Sequence, residues 1–483
     1  MYNEYRRDLM KILFAGSEAT PFCKTGGLAD VLGSLPTALS TLGHDVSLVL
    51  PKHQVIKNNY QDHLSLVHHT TVHIHNKEEY VGIEMMHHQG VRVYVIDNEY
   101  YFGYRPNLYG DFDDGERYGF FAQAVKTLIE HVETPFDVVH AHDWQTGLLP
   151  YVLKSSQNAT LSRIITIFTI HNIAYQGRFD TALFPYLNVP YSPEMEYAGM
   201  INFLKTAIVT SDYLTTVSQS YAEELTYAYF AYGMESLLAS RQHIFEGILN
   251  GIDPEAFDPK TDSALSKNFS THNYLKGKQA NKEALADMFH ISNASLPMVG
   301  IVSRLTDQKG LNLILECADT FLSDARMQLV VLGTGDADIE AAFEQLKQRH
   351  PDNVGLYIGY SDAIARQIYA GSDMFLMPSR FEPCGLAQMI ALRYGTLPIV
   401  RQTGGLKDTI TPYNPLTGEG NGFGFLNFDS NDLARTLDLA LKTYDDNAAF
   451  KRLVRRGMQS DFSWTTSAKH YETLYQRLLG GNQ

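Results

Sequence analysis

The chain has 483 residues, of which 44% are hydrophobic and 19% charged, and its formal net charge is −15. At roughly 100–200 residues per domain this is a globular chain of two or three domains, not a disordered one. The acidic balance argues against a nucleic-acid binder, which needs a basic face to displace counterions, and against an anionic membrane surface; a neutral polymer stays open as a substrate.

In chain order, Arg6 and Arg7 precede Met10-Lys11-Ile12-Leu13-Phe14-Ala15-Gly16. This mimics a signal peptide, but the apolar run is short and broken by Lys11, so residues 11–16 read as a buried strand behind a short leader at 1–9, with Met10 as an alternative start. Residues 28–42 read as a helix closed by Gly43. Strands follow at 45–50, 91–96, 137–140, 164–170, 214–217 and 247–249. Their near-continuous β-branched runs predict parallel strands covered on both faces. Residues 250 to about 297 are more polar, contain Asp253-Pro254 and Asp258-Pro259, and show few apolar periods, so a domain boundary is placed at their start. The alternation then restarts, with strands at 298–303, 328–332, 354–358, 374–377 and 397–400, helices at 310–321, 336–347 and 362–370, and a final helix at 467–479. This pattern is two doubly wound α/β domains. Such sheets bind ligands at the carboxyl ends of their strands, and two of them facing each other make a central cleft. No apolar run approaches the roughly 20 residues of a membrane span. The three cysteines, Cys23, Cys317 and Cys384, are too few and too scattered for a disulfide framework or a zinc site, which fits a reducing cytoplasm.

Thr25-Gly26-Gly27-Leu28-Ala29-Asp30 is echoed by Thr403-Gly404-Gly405-Leu406-Lys407-Asp408, each after a predicted strand and at the start of a predicted helix. A glycine pair there lets a backbone approach closely and leaves helix amides for an anion, and one such loop per domain points to two domains gripping one ligand. Lys24 stands beside the first copy, suited to a diphosphate or simply solvated. In Ser303-Arg304-Leu305-Thr306-Asp307-Gln308-Lys309-Gly310, Arg304 and Lys309 flank a turn after a strand, where two cations suit a leaving diphosphate or form an ordinary charged loop. In Pro378-Ser379-Arg380-Phe381-Glu382-Pro383-Cys384-Gly385-Leu386, the Glu382 carboxylate suits sugar hydroxyls or a helix cap, and the Gly385 and Leu386 amides suit phosphate.

His171-Asn172 ends a predicted strand, as does His140-Ala141-His142-Asp143-Trp144; the two histidines of the latter resemble a metal pair without a third ligand at useful spacing. Asp336-Ala337-Asp338 and Asp111-Phe112-Asp113 match a short acidic metal–nucleotide pattern common by chance; Asp336 reads as a helix N-terminal acid instead. Tyr101, Tyr104 and Tyr109 cluster in an irregular loop, as a sugar-lining wall or as core.

The blocks at 24–30, 171–177, 250–253, 303–310, 378–386 and 401–406 resemble, in order, the signatures of bacterial glycogen synthases and plant starch synthases. The resemblance spans residues 10 to the tail. It implies the GT-B fold: an N-terminal Rossmann-like domain at 10–249 on the acceptor side, a C-terminal Rossmann-like domain at 250–465 on the nucleotide-sugar side, and a helix at 466–483 packing back on the first domain. It implies retaining transfer of glucose from ADP-glucose to the non-reducing 4-hydroxyl of an α-1,4-glucan (glycogen or a maltooligosaccharide), with no metal or other cofactor, no nucleic-acid partner and no membrane. Alternatives are another donor such as UDP-glucose, or a catalytically silent glucan-binding homologue.

By the same resemblance His171, Arg304, Lys309 and Glu382 are the catalytic candidates: His171 near the reacting sugar, Arg304 and Lys309 on the distal phosphate, Glu382 on the glucose hydroxyls. Lys24, Gly26, Gly27, Asp30, Tyr109, Asp143, Asn172, Asn250, Cys384, Gly385, Leu386, Thr403, Gly404 and Gly405 are the substrate-binding candidates. Many retaining relatives carry a second glutamate eight residues after the first; Ile390 stands there, as in the synthase branch, and leaves the ribose contact unassigned.

Overall fold

The computed structural model describes residues 9–131, 135–292 and 295–480, so the leader at 1–9 lies, apart from Leu9, outside the described residues. The chain divides into two compact units. Unit 1 takes Met1–Val217, Ala222–Gly251 and Trp464–Gln483; unit 2 takes Ser218–Tyr221 and Ile252–Ser463. Ser218–Tyr221 crosses over because its side chains bond into unit 2: Ser218 Oγ donates to the Pro383 carbonyl (2.5 Å), and Ser220 N–H and Oγ donate to Asp408 (2.9 and 2.5 Å). A boundary read only as a composition change at residue 250 has no means of seeing this exchange.

Unit 1 contains β1 (Lys11–Ala15), β2 (Asp45–Pro51), β3 (Ser65–Ile74), β4 (Lys77–His88), β5 (Val91–Asp97), β6 (Val138–His142), β7 (Ile165–Ile170), a small group β8 (Arg178–Phe179), β9 (Glu196–Tyr197) and β10 (Met200–Asn202), then β11 (Tyr213–Thr216) and β12 (Phe245–Gly247). Nine of these form one sheet in the order β12-β11-β7-β6-β1-β2-β5-β4-β3. Most neighbours are parallel, but β3–β4 and β4–β5 are antiparallel. The strands expected from the sequence pair in parallel with one another, and β3 and β4, which that pattern does not show, add an antiparallel edge. A Gln89-Gly90 turn with both φ values positive (46° and 81°) joins β4 to β5, as a tight hairpin requires. The helix Gly27–Thr41 and the last helix, Trp464–Gly480, share one core: Leu32, Leu35 and Leu39 pack with Ile12, Phe14, Tyr471 and Tyr475. The His44 ring meets Glu472 at 3.1 Å beside that core.

Unit 2 contains β13 (Met298–Val302), β14 (Gln328–Gly333), β15 (Val354–Ile358), β16 (Met374–Met377), β17 (Leu397–Arg401) and β18 (Phe423–Phe425), all parallel, in the order β15-β14-β13-β16-β17-β18. The polar segment after residue 250 holds the helix Tyr274–Phe289, whose inner face carries polar groups. The Lys278 ammonium there donates to the Ala370 and Tyr394 carbonyls (3.0 and 3.2 Å) and to Thr396 Oγ1 (2.7 Å), and Lys282 pairs with Asp373 at 2.6 Å.

Both strand orders reverse at one place. In unit 1 the chain builds outward from β1 through β2 to β5, and from β6 the other way; in unit 2 it builds from β13 to β15, and from β16 the other way. Ligands of open α/β sheets bind at the strand carboxyl ends beside such a reversal. The segments after β1 and β6, and after β13 and β16, are therefore where each unit's chemistry belongs.

Candidate functional site

In unit 1 the segment after β1 runs to the helix Gly27–Thr41 and carries Lys24. The Lys24 ammonium pairs with Asp30 at 2.7 Å, both side chains well exposed. The loop is shaped by Glu18, which the sequence reading passed over. This buried carboxylate accepts from Thr25 N–H, from Thr25 Oγ1 (2.7 Å) and from Gly26 N–H (3.2 Å). The Gly26 amide, expected to await an anion, thus already holds an internal one. The signal was present as an acid seven residues before Thr25, in the loop that leaves a buried strand. A Cβ on Gly27 would meet nothing within 4 Å, so the loop faces open space there. Thr25 Oγ1 also bonds Tyr109 OH at 2.5 Å.

Tyr109 is held by a structural clamp. The buried Arg117 guanidinium meets Asp114 (2.6 Å), Asp111 (3.0 Å) and the Leu108 carbonyl (3.2 Å), and Arg105 meets Asp113 at 2.5 Å. The acidic pair of this loop is therefore spent on arginines. Tyr101 is fully buried and belongs to the core rather than to a sugar wall, while Tyr104 is exposed.

Asp143 follows β6, with φ 57° and ψ 177°, a conformation normally left to glycine. Its Oδ1 accepts from the His171 and Asn172 amides (2.8 and 3.4 Å), tying the ends of β6 and β7 together. Burial nonetheless pushes its carboxyl up to about 7, outweighing those donors. His171 Nε2 lies 2.9 Å from His142 Nδ1, and burial pulls the His171 ring down to about 3, so it is neutral at physiological pH. Asn172 Oδ1 accepts from Ala174 N–H (3.1 Å) and shapes the turn. Asn250, at the end of unit 1's middle segment, is buried, and its Oδ1 has no partner among the described residues. No group of three or more metal-ligating side chains occurs among the described residues.

In unit 2, Arg304 follows β13 and is exposed, and its guanidinium makes no bond to any described residue. Lys309 sits in the next turn, and its ammonium donates to Glu382 Oε2 at 2.7 Å. Glu382 follows β16, is 7% exposed, and also accepts from Ser379 Oγ (2.9 Å). The helix Ala387–Arg393 has no side-chain cap, so Glu382 is not one. Arg401 fastens the segment by donating to the Ser379 carbonyl (2.8 Å) and the Arg380 carbonyl.

The second glycine pair behaves unlike the first. Gly404 has φ 44°, and a Cβ there would lie 2.1 Å from the Glu382 carbonyl; one on Gly405 would lie 2.1 Å from the Cys384 carbonyl. The close approach is between two backbone loops, with Gly405 N–H donating to the Glu382 carbonyl at 3.1 Å. Thr403 and Cys384 are buried with them, Gly385 has φ 73°, and Leu386 precedes the helix Ala387–Arg393. Asp336 stands at the start of the helix Ala337–Arg349 and has no metal-site companions among the described residues.

Residues 11–240 match the family described as starch synthase catalytic domain, and residues 286–456 match glycosyl transferases group 1. The chain is 44% identical over 481 residues to a glycogen synthase of Geobacillus thermodenitrificans, covering 97% of this chain and 98% of that one. It is 44% identical over 479 residues to a glycogen synthase of Clostridium perfringens, covering 98% and 99%. Among solved structures it is similar to the catalytic domain of starch synthase IV from Arabidopsis thaliana bound to ADP and acarbose, at 33% identity and TM-score 0.88, covering 98% of this chain and all of that one. A sucrose-phosphate synthase from Thermosynechococcus elongatus shares the fold at TM-score 0.61 and 16% identity, covering 98% of this chain. On these grounds the chain belongs to the glycogen synthase family, a glycosyltransferase with the two α/β domains of the GT-B fold.

Proposed function

We propose that the protein transfers glucose from ADP-glucose to the non-reducing 4-hydroxyl of an α-1,4-glucan, with retention at the anomeric carbon. The observation that carries this reading is in unit 2: Arg304 and Lys309 follow β13 and Glu382 follows β16, the two neighbouring strands at which the sheet order reverses, and Lys309 meets Glu382 there. The Arabidopsis relative with ADP and acarbose bound supplies the matching ligand chemistry, a nucleoside diphosphate and a sugar chain.

Diphosphate loses its neutralising bond to carbon as the glycosidic bond breaks, so charge grows on its outer oxygens. Cations already in place stabilise that growth without reorganising. Arg304, unpaired and exposed, and Lys309, with two N–H donors beyond its bond to Glu382, take this role. Lys24 is the unit 1 cation assigned to the donor. Glu382 is spoken for by Lys309 and Ser379, which suits a carboxylate that orients sugar hydroxyls better than one that attacks carbon. The glucan hydroxyl then attacks from the face the diphosphate leaves, with a phosphate oxygen taking its proton. His171, neutral, contacts the reacting sugar as a hydrogen-bonding group and not as a cation. Thr403, Gly404, Gly405, Cys384, Gly385, Leu386 and Asn250 line the donor, and Asp143, Asn172 and Tyr109 the sugar side. No metal is assigned a part. The free thiols Cys23, Cys317 and Cys384 suit a reducing cytoplasm.

The test is ADP release from purified protein given glycogen and ADP-glucose, beside the same reaction with UDP-glucose. ADP release with glycogen-dependent rate supports the reading. Faster turnover of UDP-glucose reassigns the donor, and glucan binding without release of either nucleotide overturns the transferase assignment for this chain.

A further inference from the structure

His140 and His142 lie two apart on β6 and so point to one face of the sheet. Their rings stand 4.2 Å apart, and the Phe14 ring stacks on His142 at 5.7 Å. His140 is pinned at both nitrogens, by Tyr475 OH at 2.7 Å and by Thr169 Oγ1 at 2.6 Å. His142 is thereby wedged with its Nδ1 on His171 Nε2, 2.9 Å away at the end of the neighbouring strand.

We infer that His142 is a positioning residue that holds His171 in the tautomer protonated at Nδ1, so that His171 faces the reacting sugar as a hydrogen-bond donor. The inference rests on the proposed function only for what His171 touches. Burial keeps all three rings neutral, so each carries one proton, and in the His142–His171 contact one nitrogen gives and the other accepts. His142 Nε2 is buried and has no partner among the described residues. A buried N–H without an acceptor is rarer and worse tolerated than a buried acceptor left without a donor. His142 therefore keeps its proton on Nδ1 and gives it to His171 Nε2. The proton of His171 is left on Nδ1, which meets no described protein group. The alternative arrangement would turn an acceptor toward the sugar and bury an orphaned N–H.

The test reads the tautomer directly. In protein labelled with 15N-histidine, long-range correlation spectra should show His171 with a protonated Nδ1 and an unprotonated Nε2, assigned by loss of its signals in His171→Asn. A His171 protonated at Nε2 overturns the inference whether or not the enzyme turns over, and this measurement needs no substrate. The catalytic consequence is read separately. His142→Leu should lower kcat about tenfold, the scale of one hydrogen bond, with donor KM little changed. His142→Asn, whose side-chain amide can replace the Nδ1 donor, should restore most of it. Equal losses in both variants, with both folded, would overturn the positioning role.

Discussion

Lys309→Ala separates two jobs the structure gives one ammonium. Lys309 and Glu382 are 2.7 Å apart, with side chains 16% and 9% exposed. Removing one partner of a buried ion pair costs about 3–5 kcal/mol, because the other charge is stranded. Here Glu382 retains Ser379 Oγ at 2.9 Å and some water, so about 1–3 kcal/mol is expected. The catalytic loss should be larger: a preorganised donor to developing charge is worth about 3–4 kcal/mol, or about 10²–10³ in kcat. The double variant Lys309→Met with Glu382→Gln distinguishes them. It has no stranded charge, so its urea midpoint should recover toward wild type, while kcat for ADP release at saturating donor should not. An Ala variant with unchanged kcat, or a double variant as unstable as the single one and equally slow, would refute the division of roles.

Arg304→Ala should leave the unfolding midpoint within about 0.5 kcal/mol of wild type, since the side chain bonds no described residue, while lowering kcat/KM for the donor; a normal kcat/KM would remove Arg304 from the donor site. Gly405→Ala should destabilise the protein by about 1–3 kcal/mol or more, because its Cβ would lie 2.1 Å from the Cys384 carbonyl, whereas Gly27→Ala meets nothing and should fold normally; equal thermal shifts would contradict this. Burial pushes the Asp143 carboxyl up to about 7 in the folded state, against 3.8 for an aspartate free in water. Between those values the folded form holds a proton that the unfolded chain has lost, so this group's contribution to stability falls as pH rises and levels off above 7. Asp143→Asn should therefore gain stability relative to wild type between pH 5 and pH 8 in denaturant titrations, and a pH-independent difference would show that burial does not govern Asp143.

The parallel strands were most legible where the run is short, buried and largely apolar; β1, β7 and β16 read directly as such runs. The hairpin β3–β4 was not, because β3 is largely exposed and rich in histidine and threonine, and an edge strand has little core pattern to show. The helix Tyr274–Phe289 hid for the opposite reason. Its buried face includes Lys278 and Lys282, whose side-chain nitrogens find partners 91 to 118 residues away in sequence, and apolar periodicity cannot report that. At the candidate site, motif spacing picked out Lys309 and Glu382, and the structure brings them into contact. It did not reveal Glu18 under the first glycine loop, nor that the second glycine pair is compressed by backbone. The two copies of one six-residue pattern thus do different work, since Asp30 pairs with Lys24 and Asp408 with Ser220.

That difference bears on which cations a diphosphate can recruit. Among the described residues Lys24 is held only by Asp30, in a pair whose side chains are 45% and 31% exposed. Such a pair is worth about 0–1 kcal/mol, so an arriving dianion can take the ammonium over at almost no cost. Lys309 is different, because leaving Glu382 would strand a carboxylate that is 7% exposed; it must serve phosphate while still bound to Glu382. Asp30→Asn should accordingly leave kcat within about twofold of wild type, the free energy of a weak surface pair, while Glu382→Gln should cripple it. If Asp30→Asn were as damaging as Glu382→Gln in a well-folded protein, Lys24 would have to be held in place by Asp30 for catalysis, and the view of it as a loosely tethered cation would fail.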